Sequence, residues 1–207
     1  MPYKTLDADG SVTWINKIGP GTEQNPFTEP ELTAGENHIG SLGGHTGFSV
    51  ASFTRPNDAS TYNPGDAIAN STSGASNLTF ANAARVAGGN GYVQGALLET
   101  SHKAFSNKLL LYLYSVNPTA VNDNAAFNQA PNANFITWIT FDGAQIQTDG
   151  GSGSTVGYID GLPPNNTWKP FVCGAGSTAI FGQLVTPDGF TPIAQASYRI
   201  WLYVTKN

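Results

Sequence analysis

The sequence predicts an all-β protein, with a single jelly-roll-like β-sandwich domain preceded by an extended N-terminal arm. Three observations lead to this prediction. Segments of strand length recur from residue 47 onward, turn-forming residues separate them, and helix-length apolar periodicity is almost absent. The 24 glycines and 13 prolines lie between the apolar segments instead of in one tract, which is typical of a turn-rich β fold.

Residues 1–46 form the predicted arm. They show no sustained period of two or 3.6 residues, and Pro20, Pro26 and Pro30 with repeated glycines disfavour regular elements. Apolar residues are nevertheless spaced along the segment, as in a tail that packs on its own domain or an arm that docks on a partner. If the arm docks on a partner, the expected anchors are Trp14, Ile15, Ile18 and Phe27.

Residues 47–207 form the predicted sandwich domain, with nine strand-like segments. Most of the segments end at Gly, Pro, Asn or Asp, and pairs such as Pro64-Gly65 and Asp160-Gly161 supply turn positions that reverse a chain. Eight or nine strands over this length predict two packed β layers. The predicted strands are 47–55, 66–72, 77–81, 92–100, 108–116, 135–142, 154–160, 178–186 and 197–205.

Two of these segments, KLLLYLYSV (108–116) and SYRIWLYVT (197–205), are apolar or aromatic on both faces. A sandwich strand with one solvated face does not require this pattern. Either the two strands are central and covered by other segments, or one face meets another subunit. Aromatic enrichment is typical of an interface core, so we expect a homo-oligomer.

The charge pattern and composition argue against nucleic-acid binding, a membrane helix and secretion. The net charge is −5, charged residues make only 11% of the chain, and most of the acidity lies in the arm. No basic stripe is present to neutralise phosphates, which disfavours nucleic-acid binding. No apolar run approaches the ~18 residues of a membrane helix. A single cysteine, Cys173, and a start without a signal-peptide pattern predict a protein used without secretion.

Residues that carry chemistry are scarce. The histidines are His38, His45 and His102, no G-x-S-x-G elbow presents a nucleophile, and Glu99 is the one glutamate of residues 47–207. Scattered histidines and one cysteine do not have metal-ligand spacing. We therefore predict no catalytic residue, no cofactor and no metal, and a protein that is not an enzyme.

Segments spread over residues 48–204 share a pattern of strands and turns. They are FTRPND at 53–58 followed by Tyr62, GDAIANS at 65–71, LTFANAARVAGGNGYVQGALLETS at 78–101, LYLYSVNPTAVNDNAAFN at 111–128 and TPIAQASYRIWLYV at 191–204. In this pattern the chain resembles small virion proteins of tailed bacteriophages. That family comprises β-sandwich proteins of the phage head, including auxiliary, decoration or cement proteins. The arm lies outside the best-matched part.

The resemblance implies a virion structural protein, and specifically a decoration or cement protein on the outside of the capsid. Such a protein sits at three-fold or quasi-three-fold positions and adds contacts across subunit boundaries. The implied partners are the major capsid protein and further copies of the same chain, as a trimer. The implied location is the capsid surface, after synthesis in the host cytoplasm.

Other functions stay open beside this one. A head-fibre or spike module would bind host-surface glycans by stacking exposed aromatic rings on sugar faces, and the candidate rings are Trp138, Trp168 and Tyr158. Aromatic residues of a sandwich are more often buried in its core. A major capsid subunit is less well matched, because the basic surface expected near a packaged genome is missing.

Overall fold

A computed structural model describes residues 3–6, 12–15, 45–129, 132–148 and 156–207. The chain divides into two compact units, Met1–Leu42 and Gly43–Asn207. In the first unit, strand β1 (Tyr3–Leu6) pairs antiparallel with β2 (Val12–Ile15). The predicted arm therefore contains one short strand pair, which the irregular sequence pattern did not indicate.

The described residues of the second unit form eleven strands and two short 3-10 turns. The longest strand has eleven residues, and the shortest have two. The strands are β3 (His45–Thr54), β4 (Ala67–Ile68), β5 (Leu78–Phe80), β6 (Asn90–Thr100), β7 (Lys108–Tyr114), β8 (Phe135–Asp142), β9 (Gln147–Thr148), β10 (Gly157–Leu162), β11 (Lys169–Val172), β12 (Ile180–Val185) and β13 (Ser197–Lys206).

These strands form one curled antiparallel sheet, which confirms the all-β prediction. Its main path runs β3-β13-β6-β10-β8-β7-β12-β4, while β5 pairs with β12, β9 with β10 and β11 with β6. The curl brings β3, at one end of the path, against β5 at the other. There the Ser49 Oγ donates a hydrogen bond to the Ala81 carbonyl oxygen at 2.6 Å.

The core fills the inside of the curl. Alternate residues of β6, β7 and β13 are buried, because successive side chains of a strand point to opposite faces of the sheet. Their inward side chains pack with those of β5, β8, β10 and β12. Fully buried members of this core include Phe80, Leu98, Leu111, Phe141 and Ile200.

Three local predictions are corrected. The predicted strand 66–72 is reduced to the two residues of β4, and β11 was not predicted because it contains Pro170. Among the described strands, β11 pairs with β6 alone, so a proline is tolerated there.

Of the predicted turns, Asp160-Gly161 is not a turn: Gly161 lies inside β10, where a Cβ would come within 2.6 Å of Phe141 side-chain atoms. Pro64-Gly65 is a turn as predicted, with Gly65 at φ +90°.

The two strands with apolar residues on both faces differ in what covers them. On β7, the outward ring of Tyr112 lies 4.7 Å from that of Phe127, in the segment that follows the strand. On β13, the outward Tyr203 is 37% exposed and Trp201 is half-buried. The first alternative drawn from the sequence thus holds for Tyr112 on β7, while Tyr203 on β13 stays exposed. Among the described residues, no helix has the length and hydropathy of a membrane span.

Candidate interaction site

Outward-pointing apolar side chains of four adjacent strands form a continuous surface, which we call the outer face. The antiparallel register places Trp201 of β13 between Val50 of β3 and Leu97 of β6. One step along the strands, Phe48 lies beside Tyr203. Tyr203 is in turn opposite Gly95, which Leu162 of β10 approaches. The outer face therefore consists of Phe48, Val50, Leu97, Leu162, Trp201 and Tyr203.

Most of the outer face is open to solvent. Phe48 is 61% exposed, Leu162 51% and Val50 41%. Four strands spaced ~4.8 Å apart, each contributing about four residues to two rows of outward side chains, give a patch of roughly 250 Å². The largest apolar patch of a monomeric protein is often of this order, a few hundred Å², and is often functional.

Charged residues lie at one margin of the outer face. The Arg199 Nη1 is 3.9 Å from Glu99 Oε1, and its guanidinium carbon lies 5.5 Å from the centre of the Trp201 ring. Tyr158 pairs with Glu99, and Asp160 pairs with Leu97. The margin therefore carries both signs of charge, and Arg199 keeps a half-exposed side chain that is free to contact a partner.

A groove of about 620 Å³ opens between β3, β4, β5 and β12, where the ends of the curled sheet face each other. None of the described residues that line this groove is charged, and its apolar contribution comes from residues such as Phe53, Ile68 and Leu78. Its volume is in the range of small-molecule sites. The polar residues that line it carry hydroxyl or amide groups and are Ser52, Thr54, Asn70, Ser76, Asn77, Thr79 and Gln183.

A buried polar cluster of Arg55, Tyr62 and Asp123 lies where β3 ends and holds the connection from β3 to β4. The Arg55 Nη2 donates to Asp123 Oδ2 at 2.9 Å, and the Tyr62 hydroxyl donates to Asp123 Oδ1 at 2.6 Å. The Ala69 backbone N–H donates to the same Oδ1 at 2.8 Å, and Arg55 Nη1 donates to the Ile193 carbonyl at 3.0 Å. All three cluster side chains are buried.

The positive charge of Arg55 is balanced by the carboxylate of Asp123 within the cluster. Burial by itself lowers the pKa of Arg55, but the hydrogen bond and charge of Asp123 outweigh it, so the pKa ends above its ordinary value. Burial, and then the hydrogen bond to Asp123, raise the pKa of Tyr62. Arg55 is thus charged and Tyr62 neutral across the physiological range, which suits a structural cluster. Sequence reasoning missed this pair because 68 residues separate Arg55 from Asp123.

The residues that the sequence analysis selected do not come together in one site. For Trp14 and Ile15 the structure describes the backbone of β2, while Ile18 and Phe27 lie outside the described residues, as does His38. Trp138 on β8 is 39% exposed and Trp168, just before β11, is 59% exposed, and neither lines the groove. In the part of the chain that the structure describes, no three metal-ligating side chains cluster.

His102 follows β6 and packs into an aromatic cluster. Its ring centre lies 5.8 Å from that of Phe105 and 6.3 Å from that of Phe190, and its buried Nδ1 has no hydrogen-bond partner among the residues that the structure describes. Burial, and then the positive charge of Arg55, lower the pKa of His102. The neutral imidazole is therefore the form that the folded protein accommodates.

We expect His102 to make the protein less stable in mild acid. Below its ordinary pKa of about 6.5, His102 binds a proton in the unfolded chain but resists it in the folded one. The free energy of unfolding should therefore fall as the pH drops from about 7 toward 5. Urea denaturation over this range should show a weaker pH dependence for His102→Gln. His45→Gln, at the exposed start of β3, is the control, and an unchanged profile in His102→Gln would contradict the expectation.

The described residues thus offer two surfaces for binding, the outer face and the groove. Comparison of the chain with protein-family models, with curated proteins and with solved structures found no match.

Proposed function

We propose that the protein is a structural protein of a bacteriophage virion: a decoration or cement protein that binds the outside of the head and stabilises the capsid lattice. The order of the strands carries this proposal. The main path divides into two groups of four neighbours, β3-β13-β6-β10 and β8-β7-β12-β4. Numbered along the chain as eight principal strands, with β4 and β5 counted as one, the groups read 1-8-3-6 and 5-4-7-2.

This order is the one expected of an eight-stranded jelly roll, in which two Greek keys form two facing sheets. The jelly roll recurs in viral capsid proteins and in lectins. The strand order therefore supports the jelly-roll topology, and it agrees with the resemblance of residues 48–204 to phage head proteins. Because one fold serves many functions, the order agrees with a capsid role but does not by itself select a function or a partner.

The proposed mechanism is mechanical. A cement protein makes contacts that exist only when the capsid is assembled, and such contacts stabilise the assembled state by mass action. Residues 1–46 suit this use, because an extended segment can lie across a neighbouring subunit and add its backbone to the edge of a sheet. The segment carries six acidic and two basic side chains, which favours a basic capsid surface.

Deleting residues 1–44 should abolish binding to phage heads while the body stays folded. Binding is measured by co-sedimentation with the heads with which the protein co-purifies, and folding by circular dichroism and thermal melting. In the full chain, Trp14→Ala combined with Phe27→Ala should weaken binding, whereas Val86→Ala, in an exposed turn, should not. Unchanged head binding by the folded deletion variant would overturn the role of the arm, and failure to co-purify with particles would overturn the proposal.

A second candidate function is the recognition of host-surface glycans by a head-fibre or spike module. The groove favours it, because uncharged hydroxyl and amide groups beside apolar side chains are suited to a neutral polyhydroxylated ligand. Binding on a glycan array that is lost in Thr79→Arg, which blocks the groove, would support this function. Retained binding in Val86→Ala is the control, and no binding by the wild-type chain would remove the candidate.

A further inference from the structure

We infer that the outer face is the surface through which copies of this chain associate with one another. The inference rests on the described residues of the body and does not depend on attachment to a capsid. It assigns the self-association to Phe48, Val50, Leu97, Leu162, Trp201 and Tyr203.

The first argument is that the fold does not need these side chains to be apolar. The inward side chains of the same strands, such as Leu98 and Ile200, are fully buried and already supply the core. An antiparallel sheet with one solvated face ordinarily carries polar residues outward. The outer face instead carries aromatic and aliphatic side chains in three consecutive strands, in register with each other.

The second argument compares β13 with β7, which has the same two-sided apolar pattern. On β7, the outward Tyr112 is covered by Phe127 and also lies near Phe135. On β13, the outward Trp201 is covered partly by its neighbour Arg199, and Tyr203 stays exposed. The body has thus covered one of its two apolar outer strands with its own chain and left the other available.

The outer face by itself is smaller than a stable interface. Its apolar patch of roughly 250 Å² needs a surrounding rim to reach the ~800 Å² per partner of a stable interface. Arg199, Glu99 and Asp160 supply a polar rim at one margin, and aromatic residues with arginine are the composition enriched at interface cores.

A second copy of the chain can pair with the charged residues of this rim, so no other protein is needed. The rim holds a half-exposed Arg199 together with acidic Glu99 and Asp160, so an identical face brings the opposite charge that each of them requires. A strongly charged partner would leave one sign unpaired. Closed association of identical surfaces is also the commonest arrangement of soluble oligomers.

The test compares the mass of the full-length chain with that of matched lysine variants, by sedimentation velocity and light scattering from about 1 to about 100 μM. The wild-type chain should be an oligomer in this range. Val50→Lys combined with Tyr203→Lys should raise the dissociation constant at least about 100-fold, because it places charges at the centre of the apolar surface. Val86→Lys also replaces an exposed valine, 64% accessible, but lies off the outer face and should keep the oligomer.

Further variants separate the rim from the apolar centre. Arg199→Glu should weaken association, and added salt should then strengthen it by screening the repulsion among the acidic rim residues. Val50→Ile should leave the mass unchanged. Circular dichroism and melting curves establish that each variant is folded. If Val50→Lys combined with Tyr203→Lys fails to fold, Val50→Lys alone takes its place.

Three outcomes would overturn the inference: a wild-type chain that is monomeric up to about 100 μM, an unchanged oligomer mass in Val50→Lys with Tyr203→Lys, or equal dissociation in Val86→Lys. If the wild-type chain forms the oligomer but does not bind phage heads, the capsid role is contradicted and the inference about the outer face is not.

Discussion

Replacing Arg55 by methionine should lower the free energy of unfolding by about 3–5 kcal/mol, because it leaves the carboxylate of Asp123 buried without its cation. In the wild type the Asp123 carboxylate accepts from Arg55, from the Tyr62 hydroxyl and from the Ala69 N–H. The methionine fills much of the space of the arginine stem but offers no donor. The loss should be measured by urea denaturation at neutral pH.

A second substitution distinguishes loss of the ion pair from loss of packing. Asp123→Asn added to Arg55→Met removes the unpaired charge, while the Asn amide oxygen still accepts from Tyr62 and Ala69. The double variant should therefore recover a large part of the lost stability. Arg85→Met, at an exposed turn, should change the free energy of unfolding by no more than about 0.5 kcal/mol. If Arg55→Met alone lowers the free energy of unfolding by less than about 1 kcal/mol, the structural role of the cluster is contradicted.

Leu98→Ala should destabilise the protein by about 2–5 kcal/mol, whereas Leu97→Ala should cost less than about 1 kcal/mol. The two leucines are neighbours on β6, but Leu98 is fully buried in the core and Leu97 lies half-buried on the outer face. Truncating Leu98 leaves a cavity inside the curl of the sheet. Truncating Leu97 removes contacts on a surface that the isolated chain leaves partly open.

The pair also connects stability with self-association. Unfolding is measured at a chain concentration at which both variants are monomeric, and association is measured separately by sedimentation velocity. Leu98→Ala should affect mainly unfolding, and Leu97→Ala mainly the dissociation constant of the oligomer. Equal effects of the two substitutions on unfolding would mean that the outer face belongs to the folding core and not to an interface.

Much of the strand content was predictable from local sequence. The segments at 92–100, 108–116, 135–142 and 197–205 overlap β6, β7, β8 and β13 closely, because alternation of side chains between two faces is a property of neighbouring residues. The short strands β9 and β11 were not predictable in this way. Two residues carry no period, and Pro170 argues against a strand until its position beside a single partner is known.

The candidate site was less predictable than the fold. Trp138 and Trp168 were selected because they are aromatic, yet the groove is lined instead by small hydroxyl and amide residues that no motif distinguishes. Arg55, the last residue of the predicted strand 47–55, owes its role to Asp123, which lies far along the chain.

The sequence by itself determined the class of the fold and the two-sided apolar character of β7 and β13, because both follow from the order of neighbouring residues. Only the tertiary structure decided which of those apolar faces is covered. Tyr112 receives Phe127 from the segment that follows β7, whereas Tyr203 is left exposed beside Phe48. The physical reason is that coverage depends on which distant segment the curled sheet brings over a strand, and no local pattern contains that information.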